Sequence, residues 1–297
     1  MSLAPRAVLV HRTTEYEELV ARHGTHGQAA FFLSSRGRDI EEVAERHRAT
    51  RHALARVTAA IPLTWRQSRV ERRDLDRFLF APEDVVVVVG QDGLVANVAK
   101  YLAGQPVVGI DTDPGRNPGV LVRHRPADAE ELLAAGTGEV EELTMVEAVA
   151  DDTQRLVALN EIYLGAAGHQ TARYRLGLDG DGGVAEAQAS SGVLVGTGTG
   201  ATGWIGSVRQ ERGGDGPRPP GPSERRLLWF VREAWPSPAT GTSLVAGELT
   251  ADSRLTLTVE SERLVAFGDG VESDAVELTW GQRVTVGVCG ERLRLVR

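Results

Sequence analysis

The chain has 297 residues, a formal net charge of −8 and a single cysteine. This length exceeds the roughly 100 to 200 residues of a typical domain, so we expect two domains. Hydrophobic residues make up 41% and charged residues 25%, a composition that excludes a disordered or fibrous protein. The negative charge argues against general nucleic-acid binding, which depends on neutralising phosphates with Lys and Arg.

The longest aliphatic run, residues 85–89, is far shorter than the roughly 20 residues of a membrane-spanning helix, so no membrane association is predicted. The first twelve residues lack the longer apolar core of a signal peptide, and we therefore expect a cytoplasmic protein. Cys289 has no second cysteine with which to form an internal disulfide. We predict neither a zinc site nor any other metal site built from protein ligands.

The first 62 residues predict alternating strands and helices. Residues 7–10 predict a buried strand, and Thr14 followed by Glu17 has the form of a capping box that opens a helix. A second strand is predicted at residues 30–33. Apolar residues then recur at helical spacing over residues 40–61 and stop before a proline.

The next segment predicts a βαβ unit. Residues 85–89 are apolar at every position, which is typical of a parallel strand covered on both faces. They lead into the turn 90–93, Gly-Gln-Asp-Gly, then a predicted helix over 94–102 and a strand over 106–110. We therefore predict an α/β domain with a parallel sheet over residues 1–125.

From about residue 126 the pattern changes to strands separated by Gly, Asp and Ser turns. We predict a mostly antiparallel, β-rich second domain over residues 126–297, with a Gly/Pro loop near residues 212–223. The later strands are predicted at residues 254–260, 263–267, 275–279, 283–288 and 292–296.

Eleven arginines crowd residues 36–77. They could attract a polyanionic substrate such as ATP or polyphosphate. The interleaved Glu and Asp residues favour the simpler interpretation, that these are solvated helix faces.

Three segments could carry chemistry. The turn 90–93 follows a buried strand, where open α/β sheets bind ligands, and its glycines allow backbone amides to approach phosphates. Asp92 could accept a proton or help to hold magnesium, and it could equally cap the following helix.

The second segment, Asn160 and Glu161, could hydrogen-bond ribose hydroxyls or form an ordinary surface turn. The third, residues 197–204, is rich in Gly and Thr and ends in Trp204, which could stack on a base. Residues 198–203 match G-x-G-x-x-G, but no βαβ unit follows, so we reject a Rossmann fingerprint.

In order and spacing these segments resemble the signature of the NAD kinase family: a G-G-D-G turn, an N-E pair and a T-P-T-G-S-T-A-Y loop. Residues 106–110 are similar to the family's P-x-x-G-I-N strand, and residues 119–121 are similar to its G-F-L. The pair Asp269 and Gly270 resembles its late D-G turn.

The resemblance implies a kinase that transfers a phosphoryl group from ATP or polyphosphate to the 2′-hydroxyl of the adenosine ribose of NAD(H), giving NADP(H). It implies that Asp92 is the general base, that Gly90 and Gly93 line the phosphate-donor site, and that Mg²⁺ accompanies ATP. It also implies a homodimer or homotetramer. The positions matching NAD-contacting residues are Asn160, Glu161, Thr197, Thr199, Thr202, Gly203, Trp204 and Ser207.

The chain departs from the family pattern at Gln91, Leu94, Asp111 and Ser191, where the family has glycine, a hydroxyl residue, asparagine and aspartate. These departures leave two alternatives open. The chain could be a non-catalytic dinucleotide-binding or regulatory protein, or a related kinase with a lipid or sugar alcohol as acceptor.

Overall fold

The computed structural model describes residues 4–297 except 117–118, 135–137, 152, 180–184 and 215. Two compact units are formed. Unit 1 comprises Met1–Glu141 and Arg294–Arg297, and unit 2 comprises Glu142–Leu293. The domain limits expected from the sequence, 1–125 and 126–297, stay a prediction.

Unit 1 combines parallel strands with helices. Its strands lie in the order β2-β1-β3-β4, and all neighbouring strands in this set are parallel. The elements are β1 (Arg6–His11), α1 (Glu15–His23), α2 (His26–Ser34), α3 (Ile40–Ala60), β2 (Arg66–Glu71), β3 (Asp84–Gly90), α4 (Asp92–Ala99), β4 (Pro106–Asp111) and α5 (Ala129–Ala134). A 3₁₀ turn, Arg72–Arg77, follows β2.

The core of unit 1 explains why its central strands are apolar throughout. Residues of β1, β3 and β4 pack against apolar side chains of α3 and α5, including Leu54, Val57 and Leu133. Residues 94–99 of α4 are all buried as well. Both faces of the sheet are therefore covered, which accounts for the uninterrupted valines of β3.

The strand predicted at residues 30–33 is wrong, because these residues belong to helix α2. Thr25 caps this helix by accepting a hydrogen bond from the Gln28 amide. Ala29 and Leu33, four residues apart, are its buried positions. A short apolar run fits a strand and a helix equally well, so periodicity alone could not separate them.

Unit 2 is built from antiparallel strands. Its elements are most of β5 (Val140–Ala150), β6 (Arg155–Ala158), β7 (Glu161–Gly165), β8 (Ala172–Leu178), β9 (Glu186–Ser190), β10 (Val193–Gly196), α6 (Trp204–Glu211), β11 (Arg226–Val231), β12 (Ala246–Thr250), β13 (Leu255–Val259), β14 (Arg263–Gly268), β15 (Val271–Thr279) and most of β16 (Arg283–Val296). One six-stranded sheet has the order β12-β11-β10-β7-β14-β15, and every pairing in it is antiparallel. In the other sheet, β13 pairs antiparallel with β16 and β8, and β8 with β9.

The core of unit 2 is formed by apolar side chains from both sheets, among them Tyr174, Trp229 and Leu257. Buried and exposed residues alternate along the first five residues of β8, as expected for a strand with one face on the core. The predicted fold, a parallel α/β part followed by a β-rich antiparallel part, is confirmed.

One local expectation for unit 2 needs correction, and one helix was not predicted. The strands predicted at 283–288 and 292–296 form one continuous strand, β16, in which Gly290 and Glu291 are exposed without interrupting it. Residues 204–211, to which the sequence analysis assigned no element, form helix α6. None of the helices among the described residues is long and apolar enough to cross a membrane.

Candidate functional site

The predicted phosphate-binding turn joins β3 to α4 in unit 1. Strand β3 ends at Gly90 and helix α4 begins at Asp92. Gln91 is the N-cap residue, with an extended backbone (φ −123°, ψ 165°) and no hydrogen bond from its side chain to the helix. Asp92 is therefore the first residue of the helix and not its N-cap.

The carboxylate of Asp92 binds three consecutive backbone amides of a segment about 30 residues later. Oδ1 accepts hydrogen bonds from the amides of Leu121 (2.8 Å) and Val122 (2.9 Å), and Oδ2 accepts one from Val120 (3.0 Å). A carboxylate offers about four lone-pair positions. The described residues use three of them, so one position on Oδ2 remains beside these contacts for a further donor.

Gly109 in β4 allows the segment 119–122 to lie this close. A Cβ atom on Gly109 would be 2.1 Å from the carbonyl oxygen of Leu121 and 2.8 Å from Cα of Val122. The same segment is anchored on β4 by backbone hydrogen bonds from Asp111 to His124 (2.8 Å) and from His124 to Gly109 (3.1 Å). Glycine is thus required at 109 by close backbone approach.

The two departures beside this turn have different surroundings. Leu94 is 6% exposed, and its Cδ2 would lie 3.1 Å from a Cβ atom placed on Gly90. The buried Leu94 side chain offers no polar group to a ligand. Beside Gly93 there is open space: apart from its chain neighbours and its own helix backbone, a Cβ there would meet no described atom within 4 Å. Asp111 is also buried, and its Oδ1 accepts a hydrogen bond from the Asp113 amide (2.9 Å), which stabilises the turn after β4.

In unit 2, the Asn160 and Glu161 pair is held in place by Asp269. The Asp269 carboxylate accepts hydrogen bonds from the amides of Leu159 (2.9 Å) and Asn160 (2.7 Å), and its own amide donates to the Glu161 carbonyl (3.0 Å). Asp269 adopts a left-handed backbone conformation (φ 54°), which a non-glycine residue rarely adopts. The D-G turn therefore fixes the backbone on which the two predicted NAD-contacting side chains stand.

Burial, with a smaller contribution from the Asp269 carboxylate, raises the pKa of Glu161 to about 7. Within the described residues, the Glu161 carboxyl forms no hydrogen bond or ion pair that would stabilise its charged form. Near neutral pH this group is therefore close to half protonated, and it can both donate and accept a hydrogen bond.

Thr197 ties the Gly/Thr loop to the same place. Its buried hydroxyl donates to the Leu159 carbonyl (2.6 Å) and accepts from the amides of Thr199 (3.1 Å) and Gly200 (3.3 Å). A Cβ on Gly200 would be 2.4 Å from the carbonyl oxygen of Asn160. The structure therefore brings the Asn160 and Glu161 pair and the Gly/Thr loop together, and the Thr197 side chain is used to build the loop.

Other predicted residues of the loop remain accessible. Thr202, Gly203 and Ser207 are exposed, and the Ser207 hydroxyl donates a long bond to the Gly203 carbonyl (3.5 Å). The hydroxyl oxygen of Thr199 is buried without a hydrogen-bond partner among the described residues. Such a group costs free energy unless a ligand or water satisfies it.

Trp204 is packed within unit 2. Its ring stacks on Tyr163, with centroids 5.5 Å apart and an interplanar angle of 18°. The Arg232 guanidinium carbon lies 5.2 Å from the centroid of the Trp204 ring. The sequence analysis missed Tyr163 and Arg232, because nothing in a strand residue or a strand-end arginine indicates contact with the loop.

No protein-family model and no curated protein matches the chain. Among solved structures it is similar to an NAD kinase from Archaeoglobus fulgidus in complex with ATP, with 19% sequence identity and a TM-score of 0.59. The match covers 98% of this chain and 93% of that chain. At this identity the likeness establishes an NAD kinase-like fold over nearly the whole chain.

Proposed function

We propose that this protein is an NAD kinase-like phosphotransferase. It moves a phosphoryl group from ATP or polyphosphate to the 2′-hydroxyl of the adenosine ribose of NAD(H). The observation that carries the proposal is the full-length likeness in fold to an NAD kinase in complex with ATP. The G-x-D-G turn, the Asn-Glu pair and the Gly/Thr loop follow one another in the order of the NAD kinase signature that the sequence resembles.

Asp92 is the proposed general base. The amides of residues 120–122 fix the orientation of its carboxylate and leave one lone-pair position on Oδ2. That position can accept the proton of the 2′-hydroxyl as its oxygen attacks the terminal phosphorus of the donor. A fixed base contributes about 10²- to 10⁴-fold to the rate.

The proposed NAD contacts are the polar groups gathered around Asp269. Asn160, Glu161 and the unpartnered Thr199 hydroxyl can bind ribose hydroxyls or amide groups, and the exposed Thr202, Gly203 and Ser207 extend the same surface. Trp204 contributes its remaining exposed surface to the nucleotide.

The donor phosphates are proposed to bind at the turn 90–93, where Gly93 leaves open space beside the backbone. Mg²⁺ would neutralise the donor phosphates. The described residues contain no group of three or more His, Cys, Asp or Glu that could hold a metal ion. The ion would therefore be bound mainly through the donor, which is the usual mode for Mg²⁺ in phosphoryl transfer.

The test is NADP formation by the purified protein with NAD, ATP and Mg²⁺, and in parallel with polyphosphate as donor. Asp92→Asn should lose most of the activity. Asp113→Asn, which removes a carboxylate charge in the loop after β4, is the matched control and should retain it. Absence of product from the unmodified protein with every donor would refute the kinase proposal.

One observation favours a second candidate, a dinucleotide-binding protein without turnover. Three of the four lone-pair positions of Asp92 are already bound to amides, which is an arrangement suited to a structural role. Tight NAD binding with no NADP formation would select this candidate. The proposed homodimeric or homotetrameric state is tested independently by light scattering of the purified protein.

A further inference from the structure

The order of the strands in unit 1 defines a switch point between β1 and β3. The chain leaves β1 toward β2 on one side, and it leaves β3 toward β4 on the other. In open parallel sheets, ligands bind at the carboxyl ends of the two strands where the connections diverge in this way. The carboxyl end of β1 should therefore contribute to the same site as the turn 90–93.

The strand register identifies which residue of β1 lies there. Val10 is opposite Val88, so Arg12 and Gly90 each lie two residues beyond this pair. Neighbouring strands are about 4.8 Å apart. Arg12 thus leaves the sheet beside the first glycine of the turn.

The arginines at the two ends of this sheet differ in their partners. At the amino ends of the strands, Arg6 pairs with Asp84 (2.6 Å) and Arg66 pairs with Glu83 (2.8 Å). At the carboxyl ends, neither Arg12 nor Arg72 has a carboxylate within 4 Å among the described residues. Two guanidinium groups without an ion-pair partner among the described residues therefore lie at the end where a ligand would bind.

Arg72 is held in position by a neutral side chain of α4. Its Nε donates to Oδ1 of Asn97 (2.6 Å), and Asn97 is 8% exposed. Arg72 itself is only partly exposed. A partly buried guanidinium without a carboxylate is costly, and the cost is recovered when an anion binds to it. Helix α4 is the same helix that begins at the turn 90–93.

Arg72 is an exception within the arginine-rich stretch. Six of the eleven arginines form ion pairs with Glu or Asp on the surface, although only Arg46 and Arg48 among them lie in an α-helix; the six are Arg38, Arg46, Arg48, Arg66, Arg73 and Arg77. Of the other five, four are exposed and only Arg72 is partly buried.

The nearby carboxylate of Glu71 is ionised and already has its own hydrogen-bond partners. One of its oxygens accepts from the Thr13 amide (2.9 Å), and the other accepts from the amide and the Nε of Arg73 (2.9 and 2.7 Å). Burial acts to raise the pKa of Glu71, but these hydrogen bonds and the charge of Arg73 together lower it to about 2. Glu71 therefore fastens the ends of β1 and β2 together and is not available to pair with Arg12 or Arg72.

We propose that Arg12 and Arg72 bind the phosphate chain of the donor, a linear polyphosphate chain that is carried by ATP or present as inorganic polyphosphate. The two arginines supply the positive charge that the turn 90–93 lacks, and Arg72 is pre-positioned by Asn97. Guanidinium groups suit this task because their fork of donors matches phosphate oxygens. The identity of the reaction rests on the proposed function, but the anion site itself does not.

The test measures binding of Mg²⁺-tripolyphosphate and, separately, Mg²⁺-ADP to the full chain by titration calorimetry. Arg12→Gln and Arg72→Gln should each weaken tripolyphosphate binding by about 10- to 100-fold, the loss of one charge-assisted contact. Arg22→Gln, an equal charge change at an exposed position near the far end of helix α1, should change it less than twofold. NAD affinity should be unaffected in all three variants.

Arg72→Lys keeps the charge but loses the guanidinium fork, so it should show intermediate binding and the melting temperature of the unmodified protein. If Arg72→Gln unfolds, Arg72→Lys and Arg12→Gln decide the result. Unchanged tripolyphosphate affinity in folded Arg12→Gln and Arg72→Lys would overturn the proposal, as would the failure of the unmodified protein to bind either probe.

Measurements of NADP formation distinguish a failure of the proposed anion site from a failure of the proposed kinase function. Arginine-dependent tripolyphosphate binding without NADP formation would support the anion site and refute the kinase proposal. NADP formation in which both Gln variants keep the KM for ATP would refute the anion site alone. With both proposals correct, KM for ATP rises at least tenfold in each Gln variant while KM for NAD is unchanged. Tight binding of tripolyphosphate without binding of ADP would also support the proposal, because these arginines would then recognise the phosphate chain and not the nucleoside.

Discussion

Replacing Asp92 with Asn should lower stability as well as activity, because its carboxylate binds three backbone amides. An asparagine keeps one oxygen, which can still accept from Leu121 and Val122. Its NH₂ group then faces the Val120 amide, so two donors oppose each other. Hydrogen bonds to a charged acceptor are worth about 1.5 to 3 kcal/mol each. Because Asp92 is partly exposed, water can replace part of the hydrogen bonding that the variant loses.

We therefore expect Asp92→Asn to lose about 1 to 3 kcal/mol of unfolding free energy. At roughly 2 to 4 °C per kcal/mol, the melting temperature should fall by about 2 to 12 °C. Scanning calorimetry gives this value, with Asp113→Asn as the control that removes a charge without removing such bonds. NADP formation should fall about 10²- to 10⁴-fold in the same variant.

The two measurements separate the two roles of Asp92. An unchanged melting temperature would refute the structural role inferred from the amide contacts. A normal rate of NADP formation in a destabilised variant would remove Asp92 as the base and leave it as an anchor for residues 119–122.

Three further predictions follow from the contacts. Gly109→Ala should lose about 3 kcal/mol or more in urea unfolding, because its Cβ would meet the backbone of residues 121–122, whereas Gly93→Ala should change stability little; equal stability of the two variants would contradict this. The raised pKa of Glu161 means that the folded protein binds its proton more tightly than the unfolded chain, so this contribution to stability is complete below about pH 4.5 and is lost as the pH rises through about 7. Glu161→Gln should therefore gain up to about 3 kcal/mol relative to the unmodified protein between pH 4.5 and 8, and a pH-independent difference would count against the shifted pKa. Trp204→Ala should lose about 0.5 to 1.5 kcal/mol of stability through its lost stack on Tyr163, and Trp204→Phe should restore most of it; NAD titration of both variants shows whether the ring also contacts the nucleotide.

The sequence predicted the parallel part of the fold because the signals there are local. The apolar run of β3, the turn 90–93 and the strand β4 follow one another within about 27 residues, and each has its own pattern. Helix α2 was missed because its short apolar run has no distinguishing period. Its N-cap, Thr25, lies outside the apolar run that suggested a strand.

The contacts that build the candidate site were less accessible from sequence. The Asp92 carboxylate binds amides 28 to 30 residues away, and Asp269 binds amides 109 and 110 residues away. Backbone amides carry no residue-specific signal, so the sequence could name Asp92 and Asp269 but not their partners. The pairing of Arg72 with Asn97 was equally invisible, because only the tertiary structure separates one arginine from its ten neighbours in the stretch.

Strand β16 gives the chain an order of assembly. Its last residues, Arg294 and Leu295, pair with Pro106 and Val107 of β4, and residues 294–297 are counted with unit 1. The sheet of unit 1 therefore stays unfinished on one edge during synthesis until more than 180 further residues have followed β4. An open strand edge invites pairing with other chains, so nascent unit 1 is exposed to such pairing until the last residues of β16 have been made.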